Sequence, residues 1–211
     1  MNLVELMLSV SLLSIVISGL THAVPILQKS LFEERTLREE IAQVEQVMQI
    51  ISRSVQQAGY QHMPRRYELG NRSPALPSKA IQVFKQATLT TNKAPHFSVP
   101  QSYLAGRRIT DALLIQHETY GHFDCVGRKI TEKRTNQGLS RIGFFVQFRG
   151  NKSQAVGVLM CQSLTAKGHP QNDVILTGIQ EFLIDLEDGL VTIDFTMASN
   201  RRYQMSIALQ N

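Results

Sequence analysis

The sequence predicts an α+β fold in which a long N-terminal α-helix packs on a C-terminal head built on an antiparallel β-sheet. Three observations predict it. The first 58 residues carry helical patterning, apolar all round at first and then on one side only. After Asp111 come six segments rich in β-branched and aromatic residues, separated by Gly, Asn or Asp. No strand–helix–strand spacing separates those segments, so the sheet is expected to be antiparallel. With 211 residues and 43% hydrophobic content, the chain suffices for one good-sized domain plus an accessory element, and disorder is not expected.

The run Leu6–Leu27, LMLSVSLLSIVISGLTHAVPIL, has no formally charged side chain. At about 1.5 Å per residue it is long enough to cross a hydrocarbon core of about 30 Å, and a membrane helix is the leading reading. A cleavable secretory signal fits less well, because no basic region precedes the run and no small-x-small site ends it. A buried core helix would need a larger protein around it. Leu37, Ile41, Val44, Met48, Ile51, Val55 and Ala58 then follow at alternating spacings of four and three, while Glu34, Arg38, Glu39, Glu45 and Arg53 take other faces. Gly59 offers a C-terminal cap and Pro64 excludes continuation. The simplest expectation is one helix from Leu3 to Ala58, about 85 Å long, with Pro25 as a kink or local unwinding. It divides the chain into residues 1–28, the membrane or core half of the helix; 29–58, the amphipathic half that packs on the head; and 59–211, the head.

From Gly59 to Gly106 five prolines break the pattern, and only short pieces such as Ala80–Phe84 are expected. The strand segments are ALLIQHETY, IGFFVQFR, AVGVLMCQS, DVILTGIQEFLIDLE, LVTIDFTMA and RRYQMSIALQ. In LVTIDFTMA, Val191, Ile193, Phe195 and Met197 face one way and Thr192, Asp194 and Thr196 the other.

The net charge is +5 and the pI about 9.4, and all 22 Lys and Arg residues lie beyond Gln28. Such a balance permits contact with nucleic acid, anionic lipid or an acidic partner. Arg65-Arg66, Arg107-Arg108, Arg128-Lys129, Lys133-Arg134 and Arg201-Arg202 form basic doublets: converging, they make a phosphate-binding face; dispersed, they are solubilising surface, which is the expectation. His117, His122 and Cys125 lack diagnostic zinc spacing, and Asp185, Glu187 and Asp188 read as a solvated strand end before they read as a calcium site. No phosphate loop, nucleophile elbow or paired-carboxylate signature is present, so neither an enzyme nor a metal or cofactor is expected. The two cysteines leave alternatives open: in a periplasmic head Cys125–Cys161 closes a loop of about 37 residues, and in a cytoplasmic one both stay reduced. Positive charge beyond the span does not decide the side, because long domains translocate largely regardless of charge.

The opening LVELMLSVSLLSIV resembles the N-terminus of type IV pilins and pseudopilins, with Leu3-Val4-Glu5-Leu6 fitting the pattern and Met1 and Asn2 standing where Phe and Thr are commonest. In that family a prepilin peptidase removes a basic leader and the new first residue is methylated, so the numbering looks like that of a mature chain. REEIAQVEQVMQIISRSVQQAGY is similar to the helix end of PilW-like minor pilins, and TDALLIQHETYGHFDCVGR to their strand leading into an Asp-Cys-x-Gly turn. The second cysteine in VGVLMCQS and the segment DVILTGIQEFLIDLED match in order. This chain departs in having no Trp and in carrying Glu187-Asp188-Gly189 where Tyr-Gly is usual, which keeps the J-type pseudopilin of a type II secretion system as an alternative.

The resemblance implies a type IV pilin fold, a Cys125–Cys161 disulfide, and a single inner-membrane span with a periplasmic head that later joins a surface pilus. It implies membrane lipid before assembly, then other minor pilins, the major pilin and the inner-membrane assembly platform as partners. An ionised side chain inside a membrane helix costs roughly 2.5–3.5 kcal/mol, less near its end. A helix N-terminus with orphan N–H groups and a free amine is a natural partner for it. The resemblance therefore implies that Glu5 meets Met1 of a neighbouring subunit in the filament. The function expected is a non-enzymatic minor pilin of an initiating or tip complex. From another class, a signal-anchored periplasmic DNA-binding module stays an alternative.

Overall fold

The computed structural model describes residues 3–59, 80–85, 88–89, 97–98, 110–118, 123–131, 134–135, 139–149 and 156–209. It divides the chain into two compact units, Met1–Glu45 and Gln46–Asn211, so the division falls inside the helix rather than at its end. The chain is α+β, as the sequence predicts.

Helix α1 spans Leu3–Gln56 and runs through Pro25 without a break in secondary structure. Its end is written locally. The Gln57 N–H still reaches the Arg53 carbonyl at 3.1 Å, the Ala58 N–H reaches that of Val55 at 3.0 Å, and Gly59 turns away at φ 75°. That left-handed conformation suits glycine, and it sends the Gly59 N–H to the Gln116 carbonyl at 3.1 Å. The buried face differs from the expected one. Val44, Val47, Ile51, Ser54 and Val55 are buried, whereas Met48 and Leu37 are half-buried and Ile41 is exposed. A straight helix turns 100° per residue, so strict 4-3 spacing drifts around it. The buried residues share an arc of about 100°, and Met48 and Ile41 fall outside it.

Among the described residues, the strands of the second unit are β1 Ile81–Phe84, β2 Thr88–Leu89, β3 Phe97–Ser98, β4 Ala112–Glu118, β5 Leu139–Arg149, β6 Val156–Leu164, β7 Pro170–Glu187, β8 Leu190–Met197 and β9 Arg202–Ala208. Seven of them form one antiparallel sheet in the order β1-β4-β5-β6-β7-β8-β9, and β2 pairs with β3 in a separate ribbon. From β4 onward each strand pairs with the next, and from β5 onward the connections are short, as suits antiparallel neighbours.

Continuous apolar runs mark strands buried on both faces. ALLI in β4 and GFFV in β5 are such runs. Register places Leu113, Ile115, Ile142, Phe144, Leu159 and Cys161 on one face, all buried. Ala112, Leu114, Phe145, Val158 and Met160 form a buried cluster on the other, with Phe84 packed against it. β8 instead alternates: Val191, Ile193, Phe195 and Met197 are buried, and the residues between them are half-buried. Phe195 meets Phe182 of β7 at a ring-centroid distance of 5.2 Å.

β7 belongs to two neighbourhoods. Pro170–Ile179 pairs with β6, and Ile179–Glu187 pairs with β8. The register shifts between Gly157 and Val158, between Leu159 and Met160, and again between Ile179 and Glu181, and such bulges bend a strand and increase its twist. Glycine is required where β6 meets the bend, since a Cβ on Gly157 would lie 2.1 Å from the Ile179 carbonyl oxygen. Beyond the bend, the β7 edge no longer used by β6 takes the chain entering β4. Thr110 bridges Phe182 in parallel, and the Asp111 N–H donates to the Phe182 carbonyl at 2.7 Å.

Candidate functional site: interaction surfaces

Met1, Arg65, Arg66, Arg107 and Arg108 lie outside the described residues, as do His122 and Lys133. Glu5 lies in the first turns of α1, with its side chain outside the described set. The remaining candidates fall into three places.

The first is the helix of the N-terminal unit. Met7, Leu8, Val10, Leu12, Leu13 and Ile17 are each more than half exposed, and steps of 100° carry them round the whole circumference. No Asp, Glu, Lys or Arg interrupts this surface from Leu6 to Gln28. Three of its hydroxyls turn back on the backbone: Ser11 donates to the Leu8 carbonyl at 2.9 Å, Ser14 to Val10 at 2.8 Å and Thr21 to Ser18 at 2.8 Å. A hydroxyl that bonds its own helix needs no partner from water. Among the described residues no helix is long and apolar enough to cross a membrane. Seven positions of the Leu6–Leu27 run, Leu6, Ser9, Ile15, Val16, Gly19, His22 and Ala23, fall outside the described side chains, so the length of the apolar run is a property of the sequence. The charged band follows at once, with exposed i,i+4 pairs Lys29–Glu33 and Glu34–Arg38.

The second is the turn around Cys125. Asp124, Cys125, Val126 and Gly127 form a tight turn, closed by Gly127 N–H to the Asp124 carbonyl at 3.0 Å and by a Phe123–Lys129 bridge. Gly127 takes φ 79°. A disulfide joins Cys125 to Cys161 of β6, with Cα atoms 6.4 Å apart, within the normal span of such a bond. The Asp124 side chain, 1% exposed, receives four donors. Its Oδ1 accepts from Val126 N at 3.1 Å and Arg128 N at 2.8 Å, and its Oδ2 from Arg128 Nε at 2.9 Å and Arg134 Nη2 at 3.0 Å. Arg128 continues to Ser163 Oγ at 2.9 Å and to Asp173, and Arg134 Nε to the Leu164 carbonyl at 2.9 Å. Burial pushes the Asp124 carboxyl up, but the backbone N–H, side chain and charge of Arg128, with the Val126 N–H, outweigh it and hold the carboxyl below its ordinary 3.8. This network corrects the reading of Arg128 and Arg134 as surface: their guanidinium groups are internal cross-links because a buried carboxylate needs them. Sequence offered only a faint signal of it, an Asx-type turn residue ahead of x-x-Gly.

A cleft of 450 Å³ opens beside this turn. Val47, Ile50 and Arg53 of α1 form one wall, Phe123 and Val126 another, and Val174 of β7 the floor.

The third place gathers the other candidates. Arg201 and Arg202 are exposed at the β8–β9 turn. Asp111, 3% exposed, ties β4 to β7 by accepting from Ile184 N at 2.9 Å, and Lys85 bridges it to Asp185 at 3.4 and 3.7 Å while donating to the Ile184 carbonyl. Asp185 is thus part of a clasp, and Asp188-Gly189 form the β7–β8 turn at φ 46° and 77°. His117 is fully buried on the face opposite Glu118. Among the described residues no group of three His, Cys, Asp or Glu is placed to hold a metal.

These sites offer packing surfaces and pinned turns; both oxygens of the carboxylate nearest the cleft are committed to structure. No protein-family profile matches the chain, and no curated protein or solved structure matches it.

Proposed function

We propose that this chain is a non-enzymatic minor pilin that joins other minor pilins and the major pilin in the initiating or tip complex of a type IV pilus. It waits in the inner membrane with its head in the periplasm, and it enters the filament through the assembly platform. The observation that carries this reading is the N-terminal helix: charge-free from Leu6 to Gln28, apolar round its circumference, with Ser11, Ser14 and Thr21 bonded to its own carbonyls, and headed by Leu3-Val4-Glu5-Leu6. Such a surface exchanges lipid for neighbouring apolar helices at little cost, since neither medium demands polar partners from it. Glu5 sets the register of that exchange by meeting the N-terminal amine of a neighbour, where charge and helix dipole both favour it. An antiparallel head closed by a disulfide fits an oxidising compartment.

The test is Glu5→Ala in the full chain, expressed with its assembly partners. The head is expected to keep its circular dichroism and thermal transition, while recovery of the chain in sheared pili falls. Normal piliation together with normal co-purification with the assembly complex would refute the reading. A secretion pseudopilin is the second reading, favoured by Glu187-Asp188-Gly189 at the β7–β8 turn. Co-purification with a secretin-linked secretion assembly, and not with a pilus, decides for it.

A further inference from the structure

The cleft beside the disulfide turn joins apolar walls to one charge, Arg53, that is unmatched among the described residues. Phe123 is 52% exposed and Val126 37%, at a turn that the disulfide and the Asp124 network hold in place, and Val174 is 46% exposed on β7, so these side chains are presented rather than loosely displayed. Arg53 stands in the facing wall, exposed, and among the described residues no carboxylate pairs with it. Asp124 cannot serve it, because both of its oxygens already accept from Arg128, Arg134 and backbone N–H groups. The complement of such a site is an aliphatic side chain on a rigid element with a carboxylate one helical turn away.

The chain itself displays that complement. Leu31 is 54% exposed just past the charge-free run, and Glu34 lies three residues on, on the same side of the helix. Among the described residues Glu34 is engaged by Arg38, in a pair whose side chains are 52% and 77% exposed. Exposed i,i+4 pairs contribute little, so that contact yields readily to a better-desolvated one. We propose that the cleft receives the Leu31–Glu34 shoulder of a second copy of this chain, with Leu31 among Phe123, Val126 and Val174 and Glu34 against Arg53. The two surfaces differ, so the contact is heterologous and leaves one cleft and one shoulder open at the ends of a row, which lets copies add head to tail. A contact this small is weak in free solution and is strengthened when the chains share a surface that raises their effective concentration. The inference goes beyond the pilus reading, which does not require two copies to touch.

The test uses the full chain carrying Arg53→Lys, reconstituted in phosphatidylcholine vesicles as a mixture of isotopically light and heavy copies and treated with a carbodiimide. That reagent joins an amine to a carboxylate in direct contact, with loss of water to the carbodiimide as its urea. The expected product is a light–heavy peptide linking the lysine introduced at position 53 to Glu34, lost in Glu34→Gln. A second readout guards against Arg53→Lys weakening the contact. Light-scattering or sedimentation mass of the reconstituted chain is expected to fall in Arg53→Glu and in Glu34→Arg and to return in the double variant. No light–heavy link at position 53, links spread evenly over unrelated carboxylates, or a double variant that stays dissociated would overturn the proposal. None of these results touches the Glu5→Ala test, so the two readings fail separately.

Discussion

Replacing Asp124 by Ala removes a carboxylate that is 1% exposed and takes four donors. Counting each donor at about 1.5–3 kcal/mol overshoots, because the partners are not all stranded. Arg128, 32% exposed, keeps Asp173 and Ser163. Arg134 is 12% exposed and keeps only backbone carbonyls among the described residues, those of Leu164 at 2.9 Å and Lys129 at 3.4 Å. What remains is one buried guanidinium short of its counter-charge and two turn N–H groups without an acceptor, the situation that costs about 3–5 kcal/mol when one partner of a buried pair is deleted. Against a total stability of about 5–15 kcal/mol this is large. At roughly 2–4 °C per kcal/mol for a domain of this size, the melting temperature should fall by about 6–20 °C. Asp124→Asn keeps a carbonyl oxygen for the backbone donors and should lose less. The assay is thermal and urea unfolding of the full chain in nonionic detergent, followed by circular dichroism of the sheet. The pH dependence is a separate handle. The folded carboxyl titrates below its unfolded value of 3.8, so its contribution is complete above that value and is lost as pH falls through the folded one. The stability gap between wild type and Asp124→Asn should therefore narrow below about pH 4. An Asp124→Ala loss under about 1 kcal/mol, or a gap that does not narrow in acid, would show that the network is incidental.

Gly157→Ala places a Cβ 2.1 Å from the Ile179 carbonyl oxygen, a backbone atom that cannot rotate away, so a loss of at least about 1–3 kcal/mol in urea unfolding is expected. Alanine at both Cys125 and Cys161 opens a loop of sequence separation 36 and should lower stability by about 3–4 kcal/mol, while the wild-type chain in reductant approaches the same value. Glu5→Ala, by contrast, should leave every unfolding parameter of the head unchanged and act only on incorporation, which sheared-pilus recovery measures.

Much of the head was legible because its strands obey period-two or continuous-apolar patterning. LVTIDFTMA alternates and buries Val191, Ile193, Phe195 and Met197, as its pattern requires. ALLI and GFFV are continuous and are buried on both faces. The curl at β7 was not legible, because it rests on register. Gly178, at φ 84°, and the shifted pairs around Gly157 and Ile179 say which edge a strand offers, and one-dimensional periodicity carries no such information. The Asp124 network escaped for a related reason. Arg128 and Arg134 look like any basic surface residues until a buried carboxylate is placed between them.

The same distinction explains why the head says less about function than the helix does. In the head, two of the buried carboxylates, Asp124 and Asp111, are answered within the chain, the first by Arg128 and Arg134 and the second by Lys85 and the Ile184 N–H. Groups so answered build a fold and ask nothing of a partner. The helix poses the opposite problem: Leu8, Leu12, Leu13 and Ile17 stand exposed, and burying each fully would contribute about 1.5–3 kcal/mol to whatever covers them. Arg53, beside exposed Phe123, Val126 and Val174, repeats that pattern on the head. Described residues that settle Asp124 and Asp111 while leaving an apolar helix and the Arg53 cation unanswered support a role in association, and the residues to mutate first are the ones the isolated chain does not need for folding.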